Sequence, residues 1–261
     1  MFNSEMIQAF PDKYEKLFSD FEKVIINIEE LASEKHVWNK SPNDHFELLN
    51  NQLNLVWACN VSKLNELYRT LVESINQQQY LIYGMVGRSI IEHVATMRYY
   101  MNDKVLNVVN NAVDTGNLND VNELNQLLDK FLRGGRFDWE SFFSGDFEKL
   151  KTAKGQDKAA NELSQVNTLT CIQKWSKDEA TVEILYDLFC DLVHPNIGSS
   201  MLVMHEWDDG IGFGGLCEKK TGQDIMLMTI AGIVFLSNNI ANYLNSMLLL
   251  QVDSSQLEKL S

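Results

Sequence analysis

A chain of 261 residues is long enough for one large domain or two small ones, with ample sequence for a sizeable core. Its formal net charge of -14 weighs against broad, non-specific binding to a nucleic-acid backbone, because such binding depends on a surplus of lysine and arginine. With only 3 prolines and 14 glycines, the composition favours long helices over a turn-rich all-β chain.

The cysteines form no recognisable zinc or redox motif. They lie at positions 59, 171, 190 and 217 without any CxxC pair, which excludes zinc-finger and thioredoxin-like sites and makes a disulfide framework unexpected. The N-terminal sequence lacks the basic and apolar regions of a signal peptide. The most apolar run, 225–236, has 12 residues and is too short to span a bilayer. We therefore expect a cytoplasmic protein that does not cross a membrane.

In the first part of the chain, the hydrophobic pattern predicts three long helices. One amphipathic helix is predicted at about 11–34 and a second at about 46–75, because apolar residues recur there at steps of three and four. The third, at about 79–101, is apolar on nearly all sides, which is typical of the central helix of a bundle. Gly84 and Gly87 within it indicate a close approach by a neighbouring helix, since glycine otherwise costs about 1 kcal/mol in a helix.

The middle of the chain has weaker helical patterns. Helices are predicted at about 103–114 and 119–132, and the aromatic cluster 137–143 is predicted to be irregular. Helical periodicity resumes at about 160–175 and 178–193.

The C-terminal part predicts a hairpin and a last helix. Weakly alternating residues at 201–207 and 211–216 flank a turn signal, which favours at most a two-stranded hairpin. A strongly apolar helix is predicted at about 221–250. The sequence as a whole predicts a mainly α, single-domain protein over residues 1–261, built as an antiparallel helical bundle. Its core is predicted at about 46–101 and 160–250, with a helical insertion at about 103–160.

Arg88 lies in an apolar stretch of the third predicted helix, where a guanidinium is costly unless fixed acceptors surround it. Glu92, four residues later on the same helical face, is the nearest acceptor in sequence. Two interpretations remain open: a structural ion pair that fixes helix register, or a functional arginine. His93 lies about 140° around an ideal helix from Arg88, so their side chains need not converge.

A second polar segment ends the helix predicted at 178–193. Tyr186, Cys190 and His194 recur at steps of four, and Pro195 ends the helix directly after the histidine. In one interpretation His194 is a C-cap favoured by the helix dipole, with Asp191 as its partner. In the other it is presented towards a cleft, where its ordinary pKa near neutrality suits acid–base catalysis.

Two further patterns are rejected as sites. Residues 210–215 contain GxGxxG, but no helix opens at the third glycine and no strand follows, as a dinucleotide-binding unit requires. The possible metal ligands lack two histidines at i, i+4, the spacing that makes a zinc site specific. These ligands are Glu92, His93, His194, His205 and Glu206. We predict no metal and no cofactor.

At residues 88–93 and 186–196 the chain resembles HEPN-like helical proteins, nearest to uncharacterised bacterial members with an Arg-x3-Glu helix and a later helix that ends in Val-His-Pro. HEPN nucleases carry an arginine and a histidine four to six residues apart at a dimer interface, and cleave RNA without a metal. Arg88 and His93 meet that spacing, with Ser89 after the arginine and Ala95 where some toxin members have tyrosine. The resemblance implies a helical bundle and a homodimer.

Two functional hypotheses follow. The first is a HEPN-like ribonuclease of a toxin or antiviral defence system, in which Arg88 holds the scissile phosphate and His93 or His194 transfers the 2′-hydroxyl proton. The alternative is a non-catalytic helical module that binds a nucleotide-like ligand or a partner protein, with Arg88 and Glu92 as a structural ion pair. The candidate catalytic residues are Arg88, Glu92, His93 and His194, and the candidate substrate-binding residues are Tyr186 and Asn196.

Overall fold

Helices make up most of the computed structural model, which describes residues 1–8, 10–35, 41, 45–108, 111, 118–133, 139–152, 167–207, 210–213 and 220–257. The α-helices within these residues are α1 (Ser4–Gln8), α2 (Glu15–Ser33), α3 (His45–Asn76), α4 (Tyr80–Tyr100), α5 (Leu118–Arg133), α6 (Trp139–Ser144), α7 (Phe147–Thr152), α8 (Thr168–Ser176), α9 (Thr181–Val193), α10 (Ile197–Met201) and α11 (Lys220–Leu257). Two strands are present as well, β1 (Met204–Trp207) and β2 (Gly210–Phe213). The prediction of a mainly helical bundle is confirmed.

Helix α2 packs on α3 through one apolar stripe. Its buried residues Phe18, Phe21, Ile25 and Ile28 follow helical spacing. The ring of Phe21 meets that of Tyr68 edge to face, with centroids 5.6 Å apart. This arrangement matches the amphipathic helix predicted at about 11–34, except that its first turn, Asp12–Tyr14, is a 3-10 turn.

A tight turn joins α3 to α4 and makes the two helices antiparallel neighbours. Gln78 adopts a left-handed conformation with φ 53°, which few non-glycine residues adopt. The amide of Gln79 donates to the carbonyl of Ser74 at 2.7 Å and closes the turn. Because of this connection, the part of α3 that carries Asn60 lies beside the second half of α4.

Helix α4 is central, as its apolar pattern predicted. It packs against α3, α8, α9 and α11 and is buried along most of its length. Gly87 admits the Phe189 ring of α9 so closely that a Cβ atom on Gly87 would lie 2.4 Å from the ring. At Gly84 the nearest side-chain atom would be the Leu192 Cβ, at 3.4 Å. The predicted close approach of a helix at these glycines is therefore confirmed.

Helix α11 runs parallel to α4, although the sequence predicted an antiparallel bundle. Tyr80 packs beside Gly222, and further along both helices the Tyr83 hydroxyl lies 2.7 Å from the Thr229 hydroxyl. Both contacts therefore advance in the same direction along the two helices. The pair α4 and α9, in contrast, is antiparallel, because Phe189 meets Gly87 and the later Leu192 meets Gly84.

A short antiparallel hairpin precedes α11, as predicted. Its register pairs Met204 with Phe213 and Trp207 with Gly210. Residues 210–213 of the rejected GxGxxG pattern form strand β2, and residues 214–215 lie outside the described part of the chain.

Two predictions for the middle of the chain were wrong. The aromatic segment from Trp139 to Ser144 is helical, although irregular structure was predicted there, and residues 137–138 lie outside the described part. The helix predicted to begin at 103 instead continues α4 through a π-helical turn, Met101–Val105, and the predicted residues 109–110 and 112–114 are not described. Helix α5, in contrast, closely matches its predicted bounds of 119–132.

Candidate functional site

Arg88 and Glu92 form an ion pair on the surface of α4, and Tyr186 of α9 completes the cluster. The Arg88 Nε donates to the Glu92 Oε1 at 2.9 Å. The Tyr186 hydroxyl lies 3.4 Å from the same carboxylate oxygen, and the guanidinium carbon lies 5.7 Å from the Tyr186 ring centroid. The packing of Phe189 on Gly87 holds α9 close enough for these contacts.

The cluster is partly exposed, so the expectation of a buried guanidinium is corrected. The side chains of Arg88 and Glu92 keep 27% and 30% of their accessible surface. Partial burial lowers the pKa of Arg88, but the hydrogen bond and the charge of Glu92 outweigh it and raise that pKa. Burial and a hydrogen bond with the Cys190 thiol raise the pKa of Tyr186, so its hydroxyl stays protonated and can donate to Glu92.

Glu92 also lines a polar cavity of about 320 Å³ between α3, α4, α5 and α8. Its volume is in the range of pockets that hold small ligands. The π-helical turn begins directly after Tyr100, one of the residues that line it. The cavity is lined by Cys59, Asn60, Lys63, Glu92, His93, Thr96, Tyr100, Lys130, Phe131, Leu132 and Thr168.

Two lysines give this cavity a local positive charge within an acidic chain. Lys63 comes from α3 and Lys130 from α5, and neither ammonium group forms an ion pair with a residue that the structure describes. Asn60 lies deeper and is 7% exposed, and its amide nitrogen donates to the carbonyl of Val56 at 2.7 Å. The Asn60 amide oxygen has no protein partner within the described part, which leaves it available to a ligand.

His93 faces this cavity and not the arginine. Burial of the imidazole, followed by the positive charge of Lys63, lowers the pKa of His93, against smaller opposing effects of the Ser89 backbone and Glu92. The ring is therefore neutral at pH 7 and can donate one hydrogen bond or accept one. The positive charge of the cavity at that pH comes from its lysines.

Glu92 is the one candidate site residue that belongs both to the cluster with Arg88 and Tyr186 and to the wall of the cavity. Its Oε1 accepts the hydrogen bonds from Arg88 and Tyr186, whereas its Oε2 accepts no hydrogen bond from any described residue. Arg88 and Tyr186 do not line the cavity, and Glu92 and His93 do. The structure thus brings Arg88, Glu92 and Tyr186 together in the ion-pair cluster, and it brings Glu92 and His93 together in the wall of the cavity.

His194 and Asn196 lie at the far end of α9 and have local structural roles. His194 is the exposed C-cap of α9, and its amide donates to the carbonyl of Cys190 at 3.1 Å. Asn196 caps α10 in a capping box with Ser199. Its side-chain amide binds the Asp191 carboxylate, which the sequence suggested as a partner of His194. Neither residue contacts Arg88 through a hydrogen bond, ion pair or ring contact in the described part of the chain.

Sequence reasoning missed Asn60, Lys63 and Lys130. Asn60 carried a usable signal, because it interrupts the apolar face of α3 between Val56 and Leu64, where a buried amide needs a partner. The lysines carried no such signal, since most lysines on helices are simply solvated. Only the packing of α5 on α3 brings Lys130 to the cavity that Lys63 lines.

No group of three or more His, Cys, Asp or Glu side chains within the described residues is arranged to hold a metal ion. Within the same residues, no helix is long and apolar enough to cross a bilayer. No family model matches the chain, and neither a curated protein nor a solved structure matches it.

Proposed function

We propose that this chain is a HEPN-like, non-catalytic helical module that binds a small phosphate-bearing ligand, nucleotide-like in size, in the cavity beside Glu92. In this proposal Arg88 and Glu92 are a structural ion pair. The observation that carries it is the convergence of Lys63 and Lys130 on one cavity. The two lysines line the same cavity and form no ion pair with described residues. In a chain with a net charge of -14, they make this cavity a preferred binding site for an anion.

The composition of the cavity supports a phosphate ester over a purely apolar ligand. Lys63 and Lys130 supply charge, and His93 and Asn60 supply neutral hydrogen-bonding groups. Phe131 and Leu132 add an apolar side, so a ligand with one anionic and one less polar end is accommodated. An extended RNA strand would need a longer basic surface than two lysines provide.

Isothermal titration calorimetry with adenosine 5′-monophosphate tests the proposal. We expect measurable binding at low salt, and a loss of roughly tenfold in affinity for each of Lys63→Met and Lys130→Met, because each removes a charge-assisted contact and keeps the apolar stem. Lys16→Met, at an exposed position of α2, is the matched control and should leave the affinity unchanged.

The proposal fails if the wild-type protein gives no binding heat with the nucleotide. It also fails if both cavity variants bind as tightly as the Lys16→Met control. Circular dichroism of each variant checks that the comparison is made between folded proteins.

The ribonuclease hypothesis is kept as a second candidate because of one observation. Within the described residues, Arg88 donates to Glu92 through its Nε alone. The two terminal nitrogens of that partly exposed guanidinium bind no described residue. They are therefore free to donate to a phosphate. In this candidate Arg88 binds the RNA phosphate, but His93, which faces the cavity and not Arg88, is not placed to move the proton of the 2′-hydroxyl at that phosphate.

An assay with labelled single-stranded RNA in the presence of EDTA separates the two candidates. If the protein is a ribonuclease, the wild type cleaves RNA and the Arg88→Ala variant does not, although the variant remains folded. If it is a binding module, neither the wild type nor the variant cleaves RNA. Cleavage that survives Arg88→Ala unchanged would point to a contaminating nuclease.

We also propose that the module is a homodimer, as the HEPN resemblance implies. Exposed apolar side chains on α4 and α11 support it, among them Met85 and Met228, which are 50% and 80% exposed. Sedimentation velocity at tens of micromolar tests this proposal, and a monomer there would contradict it.

A further inference from the structure

We propose that Glu92 selects the ligand of the cavity: its second carboxylate oxygen accepts hydrogen bonds from hydroxyl groups, so the site prefers phosphorylated sugars to phosphate esters without hydroxyls. This inference rests on the proposed function, because it assumes that Lys63 and Lys130 bind the phosphate. It adds the chemical identity of the rest of the ligand.

The argument begins with the two oxygens of one carboxylate. Arg88 and Tyr186 both approach Oε1, from outside the cavity. Oε2 accepts no hydrogen bond within the described residues, yet Glu92 lines the cavity. A carboxylate oxygen accepts hydrogen bonds only, so a ligand that satisfies it must bring donors such as hydroxyl groups.

Arg88 and Tyr186 act as positioning residues for this carboxylate. The bond from the Arg88 Nε at 2.9 Å fixes one oxygen, and the Tyr186 hydroxyl lies on the same side. A carboxylate held in this way keeps a fixed orientation, so that ligand binding loses little free energy in ordering it. The bond that Arg88 donates is charge-assisted, which strengthens its hold on the carboxylate.

The charges of the cavity lead to the same ligand class. A carboxylate beside a phosphate site repels a bare phosphate, and donors on the ligand must compensate that repulsion. A sugar phosphate has the phosphate and the hydroxyls on one small skeleton. Lys63 and Lys130 can then hold its anionic end while Glu92 receives its hydroxyls.

Two probes of equal charge and equal carbon number test the inference. Ribose 5-phosphate and n-pentyl phosphate each carry one phosphomonoester on five carbons, but only the sugar has hydroxyl groups. In calorimetric titrations of the wild-type protein we expect ribose 5-phosphate to bind at least about tenfold more tightly, as a hydrogen bond to a charged group allows. This comparison does not depend on the folding of any variant.

Glu92→Gln should remove the preference. The affinity for ribose 5-phosphate should fall about tenfold, whereas that for n-pentyl phosphate should stay equal or rise, because a negative charge is lost near its phosphate. A merely structural role of Glu92 would lower both affinities together. Glu66→Gln, at an exposed position of α3, is the control and should preserve the preference.

The possible failures are distinguishable. If both phosphates bind equally to the wild-type protein, the selection by Glu92 is refuted and the phosphate site stands. If neither binds, the proposed function falls, and this inference with it. If Glu92→Gln keeps the full preference for the sugar phosphate, another residue accepts the hydrogen bonds from the hydroxyl groups and the assignment to Glu92 is wrong.

Discussion

Substitution of the two glycines of α4 by alanine should change stability in opposite directions. In a helix interior, Gly→Ala stabilises by about 1 kcal/mol, and this gain applies to both positions. At Gly87, however, the new Cβ would lie 2.4, 2.7 and 3.0 Å from three ring atoms of Phe189. Phe189 is fully buried, so its ring cannot move into solvent. The nearest atom at Gly84, the Leu192 Cβ at 3.4 Å, is at an ordinary van der Waals distance.

The magnitudes follow from these distances. Overpacking of a well-filled core costs typically about 1–3 kcal/mol, and the helix gain of about 1 kcal/mol offsets part of it. We therefore expect Gly87→Ala to destabilise by a net of up to about 2 kcal/mol. Gly84→Ala should be neutral or stabilise by up to about 1 kcal/mol. Urea unfolding followed by circular dichroism measures both changes. In thermal melts the two variants should lie on opposite sides of the wild type, at roughly 2–4 °C per kcal/mol for a chain of this size.

A double-mutant cycle identifies the cause. Phe189→Leu removes part of the ring that the new methyl group meets, so Gly87→Ala should cost less in that background, by a coupling of about 1 kcal/mol. The reasoning is refuted if Gly87→Ala is as stable as Gly84→Ala. An unchanged cost of Gly87→Ala in the Phe189→Leu background would likewise show that the aromatic ring is not the obstacle.

Three further predictions concern the candidate site and its surroundings. Arg88→Ala should destabilise by about 1 kcal/mol, the sum of a partly exposed i, i+4 pair and a contact with an aromatic ring. A loss of about 3–5 kcal/mol in thermal melts would show a buried pair instead. Because the folded pKa of His93 lies below its ordinary 6.5, its stabilising contribution is complete above pH 6.5 and is lost as the pH falls towards the folded pKa. His93→Gln should therefore flatten the decline of the unfolding free energy below pH 6.5, and an unchanged slope would contradict this. Burial raises the pKa of Cys171 to about 11, so iodoacetamide at about pH 8 should leave that thiol unmodified in the native protein, as peptide mapping can verify.

The helical architecture was predictable because its causes are local. The apolar stripes of α2 and α3 fix which face of each helix is buried, and their predicted bounds lie within a few residues of the observed ones. Gly84 and Gly87 in an otherwise apolar helix indicated a close neighbour, since glycine weakens a helix unless its small size is needed for packing. The parallel course of α11 beside α4 was not predictable, because periodicity within a helix carries no information on its direction relative to a distant one.

The candidate site was predictable only in part, for a similar reason. The pairing of Arg88 with Glu92 depends on helical spacing, and the angle between Arg88 and His93 depends on it as well. The cavity depends on four helices that are separate in sequence, and nothing near Lys130 indicates that Lys63 lies close to it. The part played by Tyr186 likewise needs the packing of α9 on α4, which brings its ring to the guanidinium.

The two halves of α4 contact different parts of the molecule, and this determines how far a ligand would affect hydrogen exchange. The first half holds the closest contacts with α9 and α11, and the second half lines the cavity. Amide hydrogens of such a central helix exchange with solvent mainly when the whole core opens. If the proposed ligand binds in the cavity, it should slow hydrogen exchange across the packed helices and not only around itself. At a hundredfold excess over its dissociation constant, this protection amounts to about 2.7 kcal/mol.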